Sequence, residues 1–156
     1  MRNENMIAKY YRISHPTALL PALLVVTLLL LSCSNDNIAF NKGEQHYALG
    51  EYYQAATYYK KAYSRTSPKD KPKRALRAFK MGECYRHINY TQKALAAYQN
   101  AVRYKIQDST ALFQLARLQL KAGQYKQAAD NFRLYLEKDP GNELARSGLL
   151  SAELAP

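Results

Sequence analysis

Acidic residues are scarce in this 156-residue chain: 12 Asp and Glu stand against 23 Lys and Arg, a formal net charge of +11. Such an imbalance suits nucleic acid, an anionic lipid surface or an acidic protein, and its sign alone does not choose among them. No base-reading motif accompanies the charge, so nucleic acid is not the expected partner. Cysteine is scarcer still. Cys33 and Cys84 are too few for a disulfide framework. With only three scattered histidines no zinc spacing can be built, and no metal or other cofactor is expected. The chain has no glycine-rich phosphate loop, no nucleophile elbow and no HExxH pair. Glu44 and Glu83 could pair as carboxylates, but glycosidic cleavage needs a deep cleft between its two acids. No catalytic residue is assigned, and the chain is not expected to be an enzyme. Long apolar runs are also missing: none reaches the roughly 20 residues of a spanning helix.

The longest apolar run, Thr17 to Leu31, is broken by Pro21 and preceded by Arg2, Lys9 and Arg12, with Glu4 the only acid. A charged start before an apolar stretch of this length is a secretory signal pattern. Met6 serves as well as Met1 for its start. The run closes on Leu30, Leu31, Ser32 and Cys33, which resembles the bacterial lipobox. That resemblance implies a diacylglycerol thioether on Cys33, then cleavage after Ser32, then N-acylation. Two or more acyl chains, at about 0.8 kcal/mol per buried methylene, hold a protein on a bilayer almost irreversibly. The competing reading is an uncleaved signal anchor with an incidental cysteine. Ser34, where an inner-membrane retention signal has Asp, implies an outer-membrane lipid anchor facing the periplasm. Residues 1–32 are thus read as signal peptide and 33–35 as the lipidated cysteine and a short tether.

A repeat organises the remainder of the chain. Gly50, Tyr52, Ala55, Tyr59 and Ala62 recur as Asn89, Thr91, Ala94, Tyr98 and Ala101, and again as Gly123, Tyr125, Ala128, Phe132 and Tyr135. Ala94 and Ala128 are 34 residues apart, Ala55 and Ala94 are 39. The five extra residues are placed in a loop at 67–73, because its two prolines cannot continue a helix. Upstream, Gly43, Gly82 and Ala116 each precede the alanine by 12 residues. The pairs Gly43/Ala55, Gly82/Ala94 and Ala116/Ala128 are expected to be the tight helix crossings, with Tyr59, Tyr98 and Phe132 filling space toward the next hairpin. Asp139 and Pro140 stand where the last hairpin closes.

This pattern resembles the tetratricopeptide repeat (TPR) family from Asp36 to about Asn142. It implies an all-α fold: a right-handed superhelical stack of about three TPR helix-turn-helix hairpins plus a C-terminal capping helix, preceded by a signal/anchor segment. The hairpins are set at 36–67, 75–108 and 109–142. Residues 143–156 form the capping helix or the start of a fourth hairpin. Asn89 replaces the turn glycine, His46 and Gln119 replace a tyrosine of the first helix, and Tyr135 replaces an alanine. Asparagine can still adopt the left-handed turn geometry.

In that family the first helix of each hairpin lines a concave groove. Carried over, the groove positions are Phe40, Glu44 and Tyr47, then Phe79, Glu83 and Arg86, then Phe113, Arg117 and Leu120. Three of the four phenylalanines fall on one stripe. Aromatics beside charges suit a bound peptide; alternatively the rings pack between neighbouring hairpins. The lysine and asparagine clamp of some chaperone-binding repeats is not matched, since Phe40 and Glu44 stand where it begins. Cys84 reads as a buried small hydrophobe. A basic run, Lys69, Lys71, Lys73, Arg74, Arg77 and Lys80, opposed only by Asp70, is the candidate contact for anionic polymers or lipid headgroups.

Together the lipobox, tether and hairpins are similar to the N-terminal region of the PorE-type OmpA-family lipoproteins of type IX secretion. The resemblance implies a scaffold that tethers envelope machinery, with other envelope proteins bound through the groove. Peptidoglycan would be reached only through domains absent from this chain, which then reads as a fragment or as a stand-alone repeat lipoprotein. A barrel-insertion assembly lipoprotein, expected to have about five repeats, is the alternative.

Overall fold

The computed structural model describes residues 36–155, and among these every regular element is an α-helix. Helix α1 covers 36–48, followed by α2 (Tyr52–Arg65), α3 (Lys71–His87), α4 (Thr91–Arg103), α5 (Thr110–Lys121), α6 (Tyr125–Leu136) and α7 (Glu143–Glu153). The signal run, Cys33 and the tether lie outside the described residues. No helix among the described residues is long and apolar enough to cross a membrane.

The three hairpin turns are built alike. Gly50 and Gly123 have φ of 74°, and Asn89 has φ of 58°. Each carries a left-handed residue after the first helix, and the next amide reaches back five residues: Glu51 to His46, Tyr90 to Tyr85 and Gln124 to Gln119. This arrangement satisfies the carbonyls that a helix end leaves open. Asn89 takes the glycine's conformation, as its short polar side chain allows.

The core is made of small residues wedged by one ring per hairpin. Ala55, Ala62, Ala94, Ala101, Ala116 and Ala128 are fully buried, as are Tyr59, Tyr98 and Phe132. What lies nearest Gly43 and Gly82 is in each case a ring rather than the paired alanine. A Cβ on Gly43 would lie 2.7 Å from the Tyr59 ring, and one on Gly82 would lie 2.9 Å from the Tyr98 ring. The glycines therefore make room for the ring of their own hairpin. A Cβ on Gly148 of α7 would likewise run into the Phe132 ring. The rings reach forward as well, since Tyr59 shares a core cluster with Met81, Cys84 and Ala97.

The extra residues of the first repeat are not all loop. Asp70 caps α3 by accepting from the Lys73 amide at 3.2 Å, and Pro72 sits in the first turn. Proline is tolerated there because those amides have no partner within the helix. The second hairpin consequently begins at Lys71, and α3 reaches 17 residues. At the other end α7, capped by Asn142, packs on α6 and α5.

Candidate functional site

The nine groove positions lie on the first helices of the three hairpins. Phe40, Phe79 and Phe113 are all half-buried. Each leans on the wedge ring of its own hairpin: Phe40 on Tyr59 at 5.5 Å between centroids, Phe79 on Tyr98 at 6.1 Å and Phe113 on Phe132 at 6.3 Å. Phe113 also meets Tyr135 at 5.1 Å. The stripe therefore packs within its own hairpins while keeping part of each ring at the surface.

The charges on this face are tied to the rings. Tyr59 donates its hydroxyl to Oε1 of Glu44 at 2.6 Å, and Tyr98 donates to Glu83. A buried tyrosine hydroxyl must find an acceptor, and the carboxylate at the edge of the face supplies one. Burial, then the bonded carboxylate, pushes both phenols well above their ordinary range. Lys80 pairs with Glu44 at 3.0 Å, and Arg86 with Glu83 at 2.8 Å. In the third hairpin both partners change: the ring is Phe132, with no hydroxyl, and position 117 is Arg rather than Glu. Arg117 is exposed and lies over Phe113 at 5.5 Å. Tyr47 contacts Tyr52 at 5.4 Å and His87 at 6.1 Å, and Tyr52 stacks on His87 at 4.1 Å. Leu120 packs on the core of the third hairpin. The tyrosine hydroxyls and His87 were not among the expected site residues. Their signal lies in the repeat, where each wedge tyrosine follows a Glu by 15 residues.

The basic run does not form one exposed patch. Arg77 is 3% exposed, paired with Asp36 at 2.8 Å and bonded to Asn37 at 3.0 Å and to the Thr66 hydroxyl. Arg74 is half-buried, stacked over Tyr63 at 4.1 Å and bonded to the Thr66 carbonyl at 3.0 Å. Lys80 is engaged by Glu44, and Lys73 pairs with Asp70 at 3.1 Å. That leaves Lys69 and Lys71 as the members of the run that are exposed with no acidic partner among the described residues. Arg77 and its neighbour Ala78 face inward because the α3 core stripe runs through Ala75, Ala78, Met81 and Gly82.

Cys84 is fully buried, and burial followed by the nearby Glu83 charge pushes its thiol up to about 12. A thiol held protonated in this way is a poor nucleophile. Among the described residues no group of three or more His, Cys, Asp or Glu could hold a metal ion.

The architecture is similar to that of tetratricopeptide-repeat domains. Residues 110–142, the third hairpin, match the sequence model of the tetratricopeptide repeat family. Among solved structures the chain is similar to the TPR domain of Arabidopsis OM64, with a TM-score of 0.63 and 17% identity over 78% of this chain and 96% of that one. It is also similar to the second TPR domain of human RPAP3 in complex with an HSP70 peptide, with a TM-score of 0.61 and 18% identity over 80% and 98%. The TPR2B domain of yeast Sti1 in complex with pHsp70 matches with a TM-score of 0.59 and 15% identity over 77% and 97%. At these identities the likeness establishes the fold alone. No curated protein matches the chain.

Proposed function

We propose that the chain is a non-enzymatic protein–protein interaction scaffold, carried on the outer membrane by lipid on Cys33, that holds components of an envelope secretion or assembly complex on its first-helix face. The observation that carries this reading is the repetition of one surface three times. Phe40, Phe79 and Phe113 stand at equivalent positions, each half-buried and each beside a charged residue. A row of part-exposed rings fixed from below is preorganised, so little side-chain freedom is lost when a partner binds. The human RPAP3 and yeast Sti1 domains, bound to an HSP70 peptide and to pHsp70 respectively, support peptide capture by this fold. The lipobox-like ending of the apolar run supports the envelope location.

Cross-linking in intact cells followed by mass spectrometry, with wild type beside Phe79→Ala/Phe113→Ala, tests the scaffold. The double variant should lose its partners while retaining its helical circular dichroism. Phe79→Leu/Phe113→Leu, which keeps apolar packing, covers the case in which the alanines unfold the stack. Full capture by a folded variant would remove the ring stripe as the contact surface. Metabolic labelling with a radioactive fatty acid should mark the wild type and leave Cys33→Ser unlabelled. A wild type that takes up no label would instead favour the uncleaved anchor.

A further inference from the structure

Beside the phenylalanine stripe lies a cleft of about 280 Å³ between the α3–α4 turn and α5. Arg86, Arg117 and Lys121 supply three cations to its lining, and Asn89, Thr91 and Gln114 supply neutral hydrogen-bonding groups. No acidic residue lines it. Arg86 is answered by Glu83 at 2.8 Å. Among the described residues neither Arg117 nor Lys121 has an acidic partner. Among the described residues Arg117 makes a long contact of 3.4 Å to the neutral Gln114. Nε of Arg86 is buried without an acceptor. Arg117 and Lys121, one helical turn apart on α5, are like charges that repel one another, and among the described residues no carboxylate answers them. The first turn of α4 adds to the positive field, since its N-cap, Tyr90, provides no side-chain acceptor.

We infer that this cleft receives the carboxylates of an acidic segment of a partner protein. The inference rests on the scaffold reading and specifies the chemistry of what the scaffold holds. The Arg117 guanidinium presents a planar fork that matches carboxylate oxygens two at a time, and the Lys121 ammonium adds a second charge beside it. The lining has no aromatic ring, so it lacks the stacking platform that single-stranded nucleic acid uses. Arg117 is shared with the stripe, because it also lies over Phe113. A partner strand can therefore place an apolar side chain on Phe113 and an acidic one in the cleft.

The test uses the full chain in detergent micelles and fluorescence anisotropy of three labelled probes. These are a short Glu-rich peptide containing leucines, its Gln counterpart, and oligothymidylate. The Glu peptide should bind at least about tenfold more tightly than the Gln peptide, the scale of charged hydrogen bonds. Arg117→Gln/Lys121→Gln should remove that preference, and Arg117→Lys/Lys121→Arg should restore part of it. Lys60→Gln/Lys61→Gln, which removes the same charge from α2, should leave the Glu peptide unaffected. Equal weakening by both neutral pairs would mean a diffuse charge effect and overturn the cleft. Oligothymidylate binding with the same dependence on Arg117 and Lys121 would overturn the acidic-protein assignment. If the phenylalanine variant loses partner capture while the Arg117/Lys121 variant binds the Glu peptide normally, the scaffold stands and the cleft falls.

Discussion

The Tyr59 hydroxyl donates to Glu44 at 2.6 Å, from the second helix of its hairpin to the first. Tyr98 and Glu83 repeat the relationship 15 residues apart, whereas Phe132 and Arg117 occupy the same two positions in the third hairpin. Ring hydroxyl and carboxylate are thus present together or absent together. Tyr98→Phe should cost about 1.5 to 3 kcal/mol in urea unfolding, because it strips the part-buried Glu83 of a donor. Tyr98→Phe combined with Glu83→Arg makes the second hairpin resemble the third and should recover part of that loss. A double-mutant cycle with no coupling between the two sites would mean that the pair does not act as a unit.

Gly43 and Gly82 lie directly under the wedge rings. Helix propensity alone would make Gly→Ala stabilising by about 1 kcal/mol. With a Cβ 2.7 Å from a fully buried ring, Gly43→Ala should instead destabilise by about 1 to 3 kcal/mol through overpacking. Tyr59→Leu in the same chain should relieve the clash. A Gly43→Ala protein with a raised melting temperature would contradict the crossing geometry.

Among the described residues two non-glycine residues hold left-handed backbone, Asn89 at φ 58° and Lys105 at φ 59°. Asparagine suits that region and lysine does not. Lys105 closes α4 in the manner of the hairpin turns, the Ile106 amide reaching the Ala101 carbonyl at 3.1 Å. Lys105→Gly should therefore stabilise the fold by up to about 1 kcal/mol, and Asn89→Gly by less. Asn89→Val should destabilise more than either change helps. Thermal unfolding of the three variants orders them, and the reverse order would remove the conformational argument.

The hairpins are legible in the sequence because helix pairing depends on small residues at a fixed interval, and Ala55, Ala94 and Ala128 are all fully buried. The partner of each small residue is less legible. An interval of 12 residues links glycine to alanine, but the backbone places the ring 16 residues on over the glycine. Charge misleads at Arg77, since composition counts a guanidinium as surface. The spacing of Ala75, Ala78 and Met81 places position 77 beside the inner stripe, where Asp36, Asn37 and Thr66 receive it. Pro72 reads as a loop residue until Asp70 is seen to cap the helix that contains it. The groove residues are found by position alone. Their contacts are not, because a face of alternating rings and charges is compatible with several pairings until the helices are docked.

The buried Arg77–Asp36 pair joins the start of α1 to α3, its exposures being 3% and 9%. Removing one partner leaves a charge without water or counter-ion, which costs about 3 to 5 kcal/mol in such sites. Asp36→Ala should therefore loosen the first helix on the second hairpin, and Asp36→Ala combined with Arg77→Met, which leaves neither buried charge behind, should do so less. Hydrogen exchange of the 36–48 amides reads this directly. Unchanged protection in Asp36→Ala would show that α1 is held by Phe40 and Gly43 alone.

Alkaline titration checks the buried hydroxyls and thiol together. Burial raises the Tyr59 and Tyr98 phenols above their ordinary value of 10.0, and raises the Cys84 thiol from 9.0 to about 12. In each case the folded state retains its proton where the unfolded chain has lost it. Unfolding then releases protons, so stability must fall as pH rises. The contribution is fully present below pH 9, starts to be lost there through Cys84, and falls more steeply above pH 10 as the two phenols join. Each group adds a slope approaching about 1.4 kcal/mol per pH unit. Urea unfolding followed by circular dichroism at about pH 7, 9, 10 and 11 should show that course. Cys84→Ala should flatten the segment between about pH 9 and 10, and Tyr98→Phe should reduce the slope above it, whatever either change does to stability at neutral pH. A stability that stays level to about pH 11 would mean that these groups are solvated, and that the rings do not wedge the hairpins from within.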